Sequence, residues 1–224
     1  MRSLLSLALI AGVAGACAAR PDIEPAPGAQ PAPPGPGKGA MATSRGVTVI
    51  ARSDAWSGFP ERLDEVTPVQ VTIENDSDVP IRIRYERFAL VAPTGQSYAA
   101  IPPFDVRGEE TEPIDRYVDG FYVAPHLTRY YPGIPIYEGY YPSAYPYYDR
   151  YYPQFLEIQL PTGDMIQKAL PEGVLMPGSR ITGFLYFENV DSDVPVVDFT
   201  MQLVESVNGD GRAFGVVRIP FQVE

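Results

Sequence analysis

Residues 69–86 read VQVTIENDSDVPIRIRYE and predict two β-strands joined by a turn. Apolar and polar side chains alternate over 69–74 and again over 81–86. A period of two places the apolar side chains on one face of each strand. The Asn-Asp-Ser-Asp-Val-Pro sequence between them is rich in residues that form turns. This stretch therefore predicts an antiparallel pair with one face in a core.

The same alternation continues along the chain, and turn-forming residues separate its segments. Residues 180–188 are apolar on both faces, which predicts a central strand covered from both sides. In the last segment Pro220 has no N–H to donate, so we expect it at a sheet edge or facing outward. Short strands at regular spacing predict an all-β, two-layer antiparallel sandwich. Further strands are predicted at 88–91, 97–101, 199–203 and 217–223.

Val69 to Leu90 and Leu170 to Phe187 resemble segments of uncharacterised proteobacterial envelope lipoproteins that contain a single immunoglobulin-like domain. The resemblance implies an immunoglobulin-like antiparallel β-sandwich, which we place at residues 46–224. One short helix is predicted at Met165 to Leu170, with Thr162 or Asp164 as its N-cap.

The first seventeen residues predict export. Arg2 precedes an apolar run at 4–13, which is too short to cross a bilayer as a helix, and small residues follow it. Ala14 and Ala16 fit an ordinary signal peptidase site, which would give plain secretion. The sequence Ala-Gly-Ala-Cys also resembles the bacterial lipoprotein signal, which implies a signal peptide at 1–16 and lipidation of Cys17. No Asp follows that cysteine, so the resemblance implies an outer-membrane lipoprotein facing the periplasm.

Residues 21–37 contain seven prolines among mostly small residues, and Ile23 is the exception in size. Such a composition favours extended polyproline conformations. We therefore expect residues 17–45 to form a disordered stalk that follows the lipidated cysteine.

A tyrosine-rich insertion at 117–155 holds twelve of the fifteen tyrosines, and six prolines interrupt it. Prolines exclude a helix or a long strand, so a long loop is predicted. Tyrosine rings suit sugars or proteins as ligands. The alternative is a flap that covers one face of the sheet without binding anything. The candidate binding residues are Tyr130, Tyr131, Tyr140, Tyr141, Tyr147, Tyr148, Tyr151 and Tyr152.

Motifs for catalysis are weak. His126, the single histidine, would need Asp119 or Asp149 and the nucleophile Ser143 for serine hydrolysis, but no nucleophile-elbow pattern accompanies them. A hydrolase acting on envelope polysaccharide or peptide would instead need two facing carboxyl groups. The carboxylates that such an enzyme would draw on are Asp105, Glu109, Glu110, Glu112 and Asp115.

Two acidic turns, 74–80 and 188–195, are similar in sequence and suggest either calcium ligands or ordinary turn chemistry, of which we favour the turns. Trp56 and Phe59 are expected in the core. The predicted site therefore includes no metal, cofactor or catalytic residue.

The net charge of −11 disfavours binding to nucleic acid. We expect a non-catalytic module that is attached to the membrane through its lipid and binds an envelope protein or glycan. An assembly or chaperone role would require an open edge strand near 217–223.

Overall fold

The computed structural model of the protein describes residues 21–113, 155–206 and 211–224. Within these ranges the chain forms mostly β-strands, with one α-helix, α1 (Gly163–Lys168), and 3₁₀ turns at Tyr85–Arg87 and Pro103–Asp105. None of the helices in these ranges is long and apolar enough to cross a membrane. The strands are β1 (Ile23–Pro25), β2 (Lys38–Ser44), β3 (Val47–Ser53), β4 (Thr67–Asn75), β5 (Ile81–Ile83), β6 (Phe88–Val91), β7 (Ser97–Ile101), β8 (Glu109–Pro113), β9 (Phe155–Gln159), β10 (Gly173–Leu175), β11 (Ser179–Phe187), β12 (Val196–Val204) and β13 (Ala213–Val223).

Nine strands form one antiparallel sheet in the order β1-β13-β12-β6-β7-β11-β4-β3-β2. Strand β7 joins the two halves of this sheet, because it pairs with β6 along its first residues and with β11 at its end. The two ends of the order approach each other, so that the sheet is nearly barrel-shaped. The predicted all-β class is confirmed, and the immunoglobulin-like topology stays a prediction.

One apolar core lies between the two halves of the sheet. The apolar face of β4 is fully buried, as its alternation predicts, and Ile81 and Ile83 lie in the same core. The strand at 81–86 is shorter than expected, because the chain turns into a 3₁₀ helix at Tyr85. Phe187 on β11 and Phe199 on β12 meet edge to face at 6.0 Å, although their strands are not neighbours in the sheet. The two halves therefore pack against each other across the core.

Strand β11 is covered on both faces, which confirms its prediction as a central strand. Leu185 and Phe187 point into the main core, whereas Phe184 and Tyr186 belong to a second apolar cluster on the outer face. Met165 of α1 lies in that cluster, and the hydroxyl of Tyr186 donates a hydrogen bond to its carbonyl at 2.9 Å. Thr162, one of the two predicted caps, accepts a hydrogen bond from the N–H of Met165, and the helix begins two residues before and ends two residues before the predicted bounds. The helix therefore covers the outer face of the sheet.

The predicted stalk is wrong for residues 21–45, which belong to the folded domain. Ile23 is 3% exposed in the core, and β1 pairs with the end of β13. Farther along, Pro31 bridges to Ala40 of β2, and the buried side chain of Arg52 donates a hydrogen bond to the carbonyl of Pro33. Prolines fit here because the segment runs along sheet edges, where few N–H donors are needed. The domain therefore includes residues 21–45 and does not begin at residue 46.

The pairing of β1 also decides two predictions about the last strand. Pro220 faces outward, as expected, since its neighbours Ile219 and Phe221 are fully buried. Its carbonyl accepts a hydrogen bond from the N–H of Ala26 at 3.0 Å, on the side of β13 where β1 lies. The predicted open edge over the whole of 217–223 is wrong, because β1 pairs with residues 221–223 and covers the end of this strand.

Candidate functional site

The base of the tyrosine-rich insertion is a two-stranded stem. β8 and β9 pair antiparallel, with Pro113 opposite Phe155. The chain therefore leaves the fold and returns to it at neighbouring positions. The eight candidate tyrosines lie outside the described residues, as do Cys17, His126 and the proposed triad partners at 119, 143 and 149.

Glu110 attaches this stem to the rest of the fold. Its side chain is 4% exposed, and one carboxylate oxygen accepts hydrogen bonds from the N–H groups of Asp64 and Glu65, at 2.6 and 2.9 Å. Burial raises the pKa of the Glu110 carboxyl above its usual value. The two hydrogen bonds oppose that rise in pKa, and the charges of Asp64 and Glu65 add to it. Glu110 thus fixes β8 to the loop that precedes β4.

The other predicted carboxylates that the structure describes do not form a catalytic pair with Glu110. Glu112 lies two residues farther along the same face of β8, where it accepts a hydrogen bond from the N–H of Glu61. Asp105 and Glu109 are exposed, and Asp115 lies outside the described residues. Glu110 and Glu112 therefore hold the loop by its backbone and do not face each other across a cleft.

A groove of about 470 Å³ lies beside this loop, lined by residues 56–59, Glu61 and Asp164. Trp56 is half-buried and forms one wall, with its ring edge-on to Phe184 at 5.1 Å. Its indole N–H donates a hydrogen bond to the carbonyl of Pro60 at 2.7 Å. A Cβ at Gly58 would lie 2.3 Å from the indole, so that only glycine fits there.

Phe59 is 45% exposed, which contradicts its predicted place in the core. Its N–H donates to Asp164 at 2.9 Å, and its carbonyl accepts from the Thr162 hydroxyl at 2.7 Å. Lys168 bonds to the carbonyl of Ser57 and lies 5.3 Å from the centre of the Trp56 ring. Contacts with the first turn of α1 thus fix the backbone on both sides of an exposed aromatic ring. The sequence signal for this groove is the Trp-Ser-Gly-Phe-Pro run, in which a glycine stands between two aromatic residues.

A larger open groove, of about 600 Å³, crosses the outer face of β6, β12 and β13. Small and β-branched side chains such as Ala89, Thr200 and Val216 contribute to its lining. Arg87 stands at its rim and donates a hydrogen bond to Gln202 at 2.7 Å. This surface has fewer fixed aromatic contacts to offer a ligand than the groove at Trp56.

The acidic turns serve as turns, which confirms the favoured interpretation. Asn75 is fully buried, its amide donates to the carbonyls of Val79 and Leu175, and its oxygen accepts from Ser77. In the second turn Asp191 accepts from the hydroxyl of Tyr98 at 3.1 Å. Among the described residues, no group of three or more acidic, histidine or cysteine side chains is placed to hold a metal ion.

Comparison with known proteins gives no relative: no family model matches this chain, and neither does any curated protein or solved structure. The chemistry of the stem and of the groove beside it therefore carries the functional inference.

Proposed function

We propose that the protein is an outer-membrane-anchored periplasmic lipoprotein, attached through Cys17, that acts as a non-catalytic binding module for a cell-envelope protein or glycan. The signal-like residues 1–16 and the cysteine that follows them support the anchor. The tyrosine-rich insertion supports a contact function. The observation that carries the proposal is the stem, because Glu110 fixes β8 to the loop that precedes β4 and β9 pairs with β8, so that both ends of the insertion are held at one place on the fold.

The proposal includes an immunoglobulin-like arrangement of the strands. Two observations support it: the strands pair antiparallel, and the halves on either side of β7 enclose one core. Sandwiches of this kind present loops at their ends for binding. The stem of the insertion is such a loop base.

The folded state of residues 21–45 changes the geometry of the anchor. Only residues 18–20 separate Cys17 from the described chain, and a residue spans at most about 3.6 Å. Asp22 is already bonded to Glu224 through two backbone hydrogen bonds. An acyl group on Cys17 would therefore hold the domain within about 20 Å of the membrane surface, rather than at the end of a long tether.

The alternative function, a hydrolase with carboxylate chemistry, needs two acids directed at a substrate. Glu110 and Glu112 are instead engaged with backbone N–H groups. That arrangement favours the binding module.

Two measurements in intact cells test the proposal. Metabolic labelling with a radioactive fatty acid should mark the wild type and not a Cys17→Ser variant, and only the labelled protein should remain with outer-membrane fractions. For the contact function, residues 114–154 are replaced by Asn-Gly, which suits the hairpin pair at Pro113 and Phe155. After crosslinking, we expect this shortened variant to lose the partners of the wild type.

The shortened variant needs a control for folding. Its unfolding transition should match that of the wild type, since the stem and Glu110 are retained. Absence of the label refutes the anchor, and an unchanged set of crosslinked partners refutes a contact function for the insertion.

A further inference from the structure

We propose that the groove lined by residues 56–59, Glu61 and Asp164 binds a sugar ring of a neutral glycan, stacked on Phe59. This inference deepens the proposed function, on which it rests for the presence of glycan near the protein. The volume of the groove, about 470 Å³, falls within the range of small-molecule sites, about 300–1,000 Å³.

Preorganisation is the first argument. An aromatic ring that is ordered before binding loses little conformational entropy when a ligand covers it. The backbone that carries the Phe59 ring is fixed in this way, because its N–H donates to Asp164 and its carbonyl accepts from Thr162, so that binding has to order only the two side-chain torsions. Trp56 is equally fixed by its bond to Pro60 and its contact with Phe184. The exposed face of Phe59 therefore offers apolar area at low cost, and sugar rings present flat C–H surfaces that suit it.

The hydrogen-bonding groups of the groove are the second argument. The N–H groups of Trp56 and Phe59 already donate within the protein, and the Lys168 ammonium contacts both Ser57 and Asp164. The carboxylate of Asp164 accepts only, with about four lone-pair positions on two oxygens. A ligand that supplies donors, as the hydroxyl groups of a sugar do, therefore suits the Asp164 carboxylate. A proline-rich peptide brings mainly carbonyl acceptors and fits poorly.

Charge is the third argument, and it separates a neutral ligand from a cationic one. The Lys168 ammonium lies 5.3 Å from the centre of the Trp56 ring and 3.6 Å from Asp164. It therefore occupies the position that an incoming amine would take over this ring. A neutral polyhydroxylated ligand does not meet this obstacle.

Trp56 is the single tryptophan of the chain, so that its fluorescence reports on this groove alone. The purified mature protein is titrated with chitotetraose and with maltotetraose as neutral glycans, and with tetralysine and decaproline as competitors of other chemistry. We expect a saturable change in emission with at least one glycan and none with the two peptides. A response to a peptide alone, or no saturable response to either glycan, overturns the inference.

Variants locate the site. Phe59→Ala should weaken glycan binding at least tenfold, and Phe59→Tyr should restore it, since a tyrosine ring keeps the stacking face. Phe104→Ala is the matched control, because Phe104 is 66% exposed but does not line the groove. Equal affinity for the wild type and Phe59→Ala, or an equal loss in Phe104→Ala, refutes stacking on Phe59.

The same variants separate this inference from the proposed function. If Phe59→Ala abolishes glycan binding in solution while Cys17 carries no fatty acid, the groove is supported and the lipoprotein assignment fails. If the protein is acylated and loses its crosslinked partners with the insertion, yet no glycan affects Trp56, the assignment stands and the glycan site fails.

Discussion

Replacing Ile23 by alanine tests whether the proline-rich N-terminal segment is part of the fold. Ile23 is 3% exposed and packs in the main core, on a strand of three residues that pairs with the end of β13. The substitution removes three carbons, worth about 0.8 kcal/mol each, and leaves a space that the neighbours only partly fill. We therefore expect the free energy of unfolding to fall by about 2.5–4 kcal/mol.

Urea unfolding, followed by circular dichroism, measures this change. For a domain of this size the melting temperature should fall by about 5–15 °C, at roughly 2–4 °C per kcal/mol. Gln30→Ala is the control, because Gln30 is exposed on the same segment and its backbone bond to Met41 is retained. The control should differ from the wild type by less than about 0.5 kcal/mol. If Ile23→Ala is as stable as the control, residues 21–32 do not close the sheet and the stalk prediction returns.

Three further substitutions test the stem, a turn and a close backbone contact. The raised pKa of Glu110 means that its contribution to stability is complete at low pH and is lost as the pH rises through the folded-state pKa. Relative to Glu110→Gln, the wild type should therefore lose stability as the pH rises above about 4.3, the ordinary pKa of a glutamate, and a difference in urea midpoint that does not change with pH contradicts this. Asn75→Ala leaves the buried partners of its amide unpaired and should cost about 2–4 kcal/mol in chemical unfolding, whereas the exposed Asp78→Ala should cost less than about 0.5 kcal/mol. Gly183→Ala would place a Cβ 2.4 Å from the backbone of Leu170, so the melting temperature should fall by an amount equivalent to about 1–3 kcal/mol. Gly163→Ala is the control, because a Cβ there would meet nothing within 4 Å, and its melting temperature should equal that of the wild type. Equal melting temperatures of the two glycine variants would refute the clash.

The strands could be predicted because their apolar residues repeat every second position. That pattern correctly predicts β4, β6, β7, β11, β12 and β13. The cap at Thr162 could be predicted because threonine is a preferred N-cap residue. The end of β5 could not be predicted, because Tyr85 continues the alternation but enters a 3₁₀ turn, where its N–H bonds to Glu172. That contact joins residues far apart in the sequence, and local patterns do not contain it.

The error at residues 21–45 has a different physical origin. Composition favours an extended chain there, and the chain is extended, but composition does not say what lies beside it. One buried isoleucine and one arginine on β3 fix this segment to the sheet. Phe59 is the opposite case. It is predicted to be buried because it is aromatic, but hydrogen bonds between its backbone and the side chains of Thr162 and Asp164 hold it at the surface. Partners that are distant in sequence decide both outcomes.

The hydrogen bonds between Asp22 and Glu224 have a consequence for how the chain reaches its final shape. The first described strand finds its partner only after about 200 further residues have been made, so the hairpin β2–β3 can form long before it docks. Because Asp22 and Glu224 lie side by side, a short peptide could join them in a chain without residues 1–21, and new termini could be opened in the exposed turn at Thr94 and Gly95. A circular permutant of this kind would carry β1 and β13 as consecutive strands, and the pairing of β6 with β7 would become the one between distant parts of the chain.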